Sequence, residues 1–256
     1  MDRFLNQIIC GDCLEVMKDM PDKSVDMILC DLPYGTTACK WDTIIPFEPL
    51  WEQYERIIKD NGAIVLNGSQ PFTSRLIMSN LRLFKYTWVW DKSQVTGFLN
   101  SKKQPLRQHE DICVFYKRQC IYNPIMKKGK RTLKATGSKS ENYGKYTYKP
   151  HHSEWYYPKS ILEFPQKRIK GGHPTQKPVD LMEYLIKTYT NEGEIVLDNC
   201  IGSGTTAVAS LNTGRFFIGI EKEPKYVEIA RKRVEQAQAQ LRIKIMRNRQ
   251  THGEGE

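Results

Sequence analysis

Residues Asp31-Leu32-Pro33-Tyr34-Gly35 follow a strand-type run, Asp26-Met27-Ile28-Leu29-Cys30, and bring together a carboxylate, a rigid turn and an aromatic ring. Proline fixes the backbone, so the carboxylate and carbonyls beside it are held at the end of the strand. Groups held in this way can accept both N–H bonds of a planar amine. An amine conjugated with a ring is a poor nucleophile; acceptors on its hydrogens return density to nitrogen and aim its lone pair at an electrophile. Tyr34 offers a face on which an extruded flat heterocycle can stack. An ordinary strand-to-loop turn, with Asp31 capping and Tyr34 packed, accounts for the same residues.

A second constellation lies near the other end of the chain. Ile195-Val196-Leu197-Asp198 reads as a strand, Gly202-Ser203-Gly204 as a tight turn, and Thr205 onward as a helix. Glycines at such a turn allow close approach to the backbone and leave helix-start N–H groups free. A further strand, Arg215 to Ile220, ends in Glu221, seventeen residues beyond Gly204, where a doubly wound fold places a ribose-binding carboxylate. The pair indicates a nucleoside-containing cofactor. Asp198 at the strand end would repel a pyrophosphate but could meet an ammonium, which favours S-adenosylmethionine over a dinucleotide. A plain glycine turn with a surface Glu221 is the competing reading.

These sites need elements to carry them. Ile8–Cys10, Asp26–Cys30, Ala63–Leu66, Tyr86–Trp90 and Ile112–Tyr116 read as strands in the first half, with helices at Cys13–Lys18, Leu50–Lys59 and Pro71–Asn80. Asn61-Gly62 is expected to stop the second helix. Helices at Pro178–Tyr189, Thr205–Asn212 and Pro224 to about Ile245 alternate with strands in the last third, implying a mostly parallel sheet covered on both faces. Residues 118–170 show no period and read as an inserted, loop-rich module; His151-His152 within it reads as plain loop.

Three motifs now carry a resemblance. Asp31-Leu32-Pro33-Tyr34 resembles the D-P-P-Y motif of amino-group DNA methyltransferases. Gly202-Ser203-Gly204 resembles their cofactor motif, D-P-F-x-G-S-G-T-T, and His173-Pro174-Thr175-Gln176-Lys177-Pro178 resembles the H-P-T-Q-K-P signature ahead of it. Their order is that of the β group. The resemblance implies a circularly permuted Rossmann-like methyltransferase sheet in which Asp31, Pro33 and Tyr34 form the catalytic turn. It implies a cofactor pocket of Asp12, Thr175, Lys177, Asp198, Gly202, Ser203, Gly204, Thr205 and Glu221, with Lys177 pairing the methionyl carboxylate. Asp12 would equally serve as a helix cap. Leu32 stands where the family has proline. Asn199 and Cys200 stand where it has Pro and Phe, so an aromatic wall beside the cofactor is missing or supplied elsewhere.

The chain divides on this reading into a catalytic half (1–117), a target-recognition insert (118–170), a cofactor-binding half (171–247) and a flexible tail (248–256). Charge follows the division: residues 85–172 hold nineteen Lys or Arg against six Asp or Glu in a chain of net charge +10, so the remainder is slightly acidic. Such a basic middle suggests a polyanion partner, and Lys127, Lys128, Lys130, Arg131 and Lys134 are spaced to meet phosphates of double-stranded DNA. Seven scattered cysteines give no disulfide framework, and Cys10-x-x-Cys13 lacks a second pair for zinc, so no metal is expected. The absence of a long apolar run or basic leader leads to the expectation of a cytoplasmic protein, and the resemblance implies a bacterial or phage origin. The activity implied is methylation of the 6-amino group of adenine, with restriction-modification as the setting. A homodimer and a cognate restriction enzyme are further expected partners. The 4-amino group of cytosine is the alternative target, and a non-catalytic DNA-binding module the alternative class.

Overall fold

The computed structural model describes residues 1–36, 42–134, 151–166 and 176–252. In chain order the first half holds β1 (Gln7–Cys10), α1 (Cys13–Lys18), β2 (Val25–Cys30), α2 (Phe47–Ile57), β3 (Ile58–Gly68), α3 (Phe72–Ser79), β4 (Phe84–Thr96), a 3₁₀ turn (Phe98–Asn100) and β5 (Arg107–Phe115). Then come β6 (Lys127–Lys134), β7 (His151–Tyr156), β8 (Ile161–Glu163), α4 (Val179–Tyr189), β9 (Ile195–Asp198), α5 (Thr205–Asn212), β10 (Phe216–Glu221) and α6 (Pro224–His252). Among the described residues no helix is long and apolar enough to cross a membrane.

Two compact units result. Residues 1–123 with 160–256 contain an eight-stranded sheet in the order β1-β10-β9-β2-β3-β5-β4-β8. Strands β1, β10, β9, β2 and β3 pair in parallel, and β5 runs against both β3 and β4. Strands β9 and β10 come late in the chain yet lie between β1 and β2, so the sheet is a circularly permuted Rossmann-like one. Asp26 ties the halves together: its carboxylate accepts from Lys59 at 2.6 Å and from the Ile195 amide at 3.0 Å.

Every residue of β2 is buried, and its alternation feeds both faces. Ile28 and Cys30 pack with Met17, Leu50, Tyr54 and Phe72 beneath α1–α3, whereas Met27 and Leu29 pack with Trp90, Leu185 and Tyr189 under α4. Ile8, Phe217, Ala230 and Val234 form a third cluster beneath α5 and α6.

The Asn61-Gly62 stop is corrected. Helix α2 ends at Ile57 and β3 begins at once, running through both residues. The register of β2 on β3 shifts here, and a Cβ on Gly62 would lie 2.7 Å from the Asp26 carbonyl. The glycine serves a close backbone approach within the sheet, as at a bulge, and not a turn.

The second unit, residues 124–159, holds β6 and β7 as an antiparallel pair. His151-His152 therefore opens a strand where plain loop was expected. Strand β8, from the segment read as insert, joins the main sheet beside β4. Helix α6 continues to His252, well past Ile245.

Candidate active site

Parallel pairing of β2 with β9 sets Met27 opposite Val196 and Ile28 opposite Leu197, so Asp31 and Asp198 leave the same sheet edge side by side. Both face a cavity of about 530 Å³, within the range of small-molecule sites. Asp12, Pro33, Tyr34, Lys177, Gly202, Ser203, Thr205 and Glu221 also line it. Nine of the expected site residues outside the D-L-P-Y turn were assigned to the cofactor; seven of them meet here, Gly204 sits on the same turn between Ser203 and Thr205, and Thr175 lies outside the described residues.

Asp31 is engaged on both oxygens. The Tyr34 hydroxyl donates to Oδ1 at 2.6 Å, and Lys177 Nζ lies 2.9 Å from Oδ2. Lys177 Nζ is also 2.9 Å from Glu110 Oε2, and Glu110 Oε1 is 3.1 Å from Lys92 Nζ. Both lysines are buried, so the cavity wall holds two carboxylates balanced by two ammonium groups. Burial alone would push the Glu110 carboxyl up, but Lys177 and Lys92 outweigh it and hold the group below the ordinary glutamate range. Burial opposes the charge of Lys177 as well, and Asp31 with Glu110 overcomes it, keeping the ammonium charged. Lys177 also lies 5.7 Å from the ring centroids of Tyr34 and Trp90, within cation–π reach. Burial, then the Asp31 and Glu110 charges, drive the Tyr34 phenol well above its ordinary pKa, so it is a donor and not a base.

Beside Asp31 at the end of β9, Asp198 accepts from Thr206 Oγ1 at 2.6 Å and from the Cys200 amide at 3.1 Å. Burial dominates these bonds and raises its carboxyl to about 7. Glu221 closes the glycine turn, accepting from the Gly202 amide on Oε2 and the Glu223 amide on Oε1, each at 2.9 Å. Burial lifts its pKa above the usual glutamate value. Asp12 Oδ1 caps α1 by accepting from the Leu14 amide at 3.0 Å, and the residue also lines the cavity. Ser203 donates to Gln176 Oε1 at 3.2 Å, and its carbonyl is held by Arg233 at 2.6 Å.

Gly204 lies between two lining residues, Ser203 and Thr205; at φ 85° a Cβ there would lie 3.1 Å from Ala230, so the turn needs a glycine to pack against α6. Lys177, expected to pair the methionyl carboxylate, lines the cavity with its charge matched by Asp31 and Glu110. Lys127, Lys128 and Lys130 are exposed on β6, which continues through Arg131 to Lys134, and Lys128 makes only a loose 3.8 Å pair with Glu154.

A family model described as DNA methylase, of N6 and N4 type, matches residues 25–232. The chain belongs to this DNA methylase family. Its relatives include the DNA adenine methyltransferase YhdJ of Escherichia coli (strain K12), 30% identical over 92% of this chain and 85% of YhdJ. Among solved structures, the M1.HpyAVI–SAM complex matches with a TM-score of 0.60 and 28% identity, over 89% of this chain and 98% of that one. The PvuII DNA methyltransferase, cytosine-N4-specific, shares the fold at a TM-score of 0.64 and 16% identity, over 88% and 84% of the two chains.

Sequence reasoning about this methylase missed Glu110, Lys92 and Tyr226. Glu110 enters β5 just ahead of the buried run Ile112–Phe115, and an acid at the edge of an apolar strand is the signal that could have singled it out. Tyr226, in the first turn of α6, lines the cavity near Glu221 and supplies an aromatic side chain there. Asn199, in the place of the family's proline, accepts from the buried Tyr54 hydroxyl at 2.5 Å.

Proposed function

We propose that this DNA methyltransferase acts on the 6-amino group of adenine in double-stranded DNA. The observation that carries the reading is Asp31: a carboxylate at the cavity mouth, on the Pro33–Tyr34 turn, beside the glycine turn of β9. Relatives directed to the 4-amino group of cytosine more often carry serine at this place, and YhdJ, an adenine methyltransferase by name, is similar along most of its length. Residues 118–170, with Lys127, Lys128, Lys130, Arg131 and Lys134, are the proposed target-recognition insert, between catalytic and cofactor-binding segments 1–117 and 171–247. A bacterial or phage setting, a homodimer and a cognate restriction enzyme complete the reading by family resemblance.

S-adenosylmethionine is the cofactor, and the donor set of the cavity fits it: Asp198 for an ammonium, Glu221 and Asp12 for ribose and base polar groups, Tyr226 for an aromatic face. Bound there, it supplies an electrophilic methyl group on a sulfonium. The chain's part is positional. Asp31 and a carbonyl near Pro33 accept the amine hydrogens and aim the nitrogen lone pair. For this Asp31 exchanges one of its present partners, and Lys177, retained by Glu110, can yield the carboxylate without being left unpaired.

Asp198 gives a pH signature. Its raised pKa, about 7 against 3.8, means that its favourable contribution to folding is fully present below the ordinary value and is lost as pH rises through 7. An ammonium ligand requires the ionised form, so cofactor affinity is expected to fall as pH drops below 7, approaching about tenfold per unit. Calorimetry between about pH 5.5 and 8.5 reads this, and Asp198→Asn should bind weakly with a flattened profile. An equally pH-dependent variant would remove Asp198 from the ammonium site.

DNA affinity is expected to fall at least about tenfold between roughly 50 and 200 mM salt, as counterion release requires. A flat response in a fluorescence anisotropy titration would turn the basic residues of β6 away from DNA.

The target base is tested by sequencing unmethylated plasmid DNA after exposure to the protein and cofactor. Modified adenines recurring in one sequence context are expected. Modified cytosines would retain the fold and mechanism and overturn the choice of base.

A further inference from the structure

Strands β4 and β5 extend past the sheet edge that carries Asp31 and Asp198. Strand β5 runs against β3 with Gly68 opposite Asp111, so its first residues, and the last of β4, stand at the carboxyl ends of the parallel strands. Pairing continues from Asp91 opposite His109 to Thr96 opposite Arg107, and Lys92 and Thr96 line the cavity. The connection between them is a built turn. Gly97 enters it at φ 94°, and Phe98–Asn100 forms a 3₁₀ turn. The Ser101 amide then donates to the Phe98 carbonyl at 3.1 Å, and Lys103 and Gln104 both donate to the Asn100 carbonyl, at 2.8 and 3.0 Å.

This turn holds its two largest apolar side chains outward. Phe98 is 64% exposed and Leu99 fully so, at 102%. Isolated exposed apolar residues are common and need no explanation. These two are adjacent, on a turn closed by its own hydrogen bonds that begins directly after Thr96 of the cavity wall. Lys102 and Lys103 are exposed on this connection and Arg107 at the start of β5, and no acid occurs between Asp91 and Glu110. Basic residues suit phosphates and an apolar tip suits the interior of a base stack; proteins that part base steps combine the two.

We propose that Phe98 and Leu99 are a wedge that enters the DNA duplex at the target base pair, with Lys102, Lys103 and Arg107 seating the turn on the flanking backbone. The inference rests on the DNA methyltransferase reading and adds to it the partner surface that opens the helix. Asp31 lines the cavity, bonded to Tyr34 and Lys177, and an enzyme that acts on a base in a duplex takes it out of the stack before its amine meets such a group. The wedge fills the space the base vacates and slows its return. The occupant is duplex DNA; a second copy of the chain is the competing occupant.

The test uses the full-length protein and the duplex sequence identified by sequencing, with Phe98→Ser/Leu99→Ser as the variant. Both side chains are exposed, so circular dichroism and cofactor affinity should match the wild type. Single-turnover methylation of the paired duplex should fall at least about tenfold, and return to within about twofold of wild type when the target faces an abasic site, where opening needs less work. With 2-aminopurine at the target position, the fluorescence rise on wild-type binding should be lost in the variant. An unchanged rate on the paired duplex, or an equal loss on both duplexes, would overturn the wedge. So would a wild-type dimer that the substitutions dissolve in sedimentation, with fluorescence unaffected. If the wild type methylates neither duplex, the methyltransferase reading itself has failed, an outcome distinct from failure of the wedge.

Discussion

Replacing Asp31 with alanine should lower single-turnover methyl transfer by at least about a thousandfold while leaving cofactor affinity within a few-fold of wild type. The expectation follows from where the carboxylate sits. Its side chain faces the cavity from the turn after β2, bonded to Tyr34 and Lys177, whereas the glycine turn, Asp198 and Glu221 belong to β9, β10 and the segments after them. Alanine removes the acceptor that would aim the amine and leaves the cofactor wall untouched. Lys177 is not orphaned by the change, because Glu110 stays at 2.9 Å. The variant should therefore fold, at some cost in stability from the one ammonium left in excess. Near-wild-type transfer by Asp31→Ala, measured beside calorimetry of cofactor binding, would remove the acceptor role.

Lys177→Met should cost stability as well as activity, on the order of 3–5 kcal/mol in chemical denaturation. The buried wall is balanced only as a set: Asp31 and Glu110 against Lys177 and Lys92. Removing one ammonium leaves two carboxylates with a single counter-charge in a poorly solvated site. Adding Glu110→Gln restores the balance, so the double variant should lose less than the sum of the two single changes. Strictly additive losses would show that the charges do not act together.

These predictions rest on different amounts of sequence information. The D-L-P-Y turn and the glycine turn were legible because each is local: a strand, a rigid or flexible turn, and a side chain whose role follows from adjacency. Their meeting at one edge followed from strand alternation. The Lys177–Glu110 pair, in contrast, joins residues 67 positions apart, and nothing local marks one as the partner of the other. Lys177 could therefore be read from the sequence only as a ligand for the cofactor, and its pairing with Asp31 and Glu110 had no local signal. Gly204 was legible only in part: a turn could be read there, but the neighbour that demands a glycine, Ala230, arrives on α6.

Strands β6 and β7 stayed hidden for another reason. They pair only with each other among the described residues, and β6 carries Lys, Arg and Thr in place of the apolar alternation that marks a strand packed on a core. Asn61-Gly62 misled in the opposite direction: a sequence typical of a turn lies inside β3 because β2 passes too close for any side chain.

The most direct test of the account is to incubate the protein with unmethylated DNA and methyl-labelled S-adenosylmethionine, then digest the DNA and weigh its nucleosides. The account predicts the label in 6-methyl-2′-deoxyadenosine, at a level that Asp31→Ala removes. Cofactor binding with no label in any DNA nucleoside would contradict it.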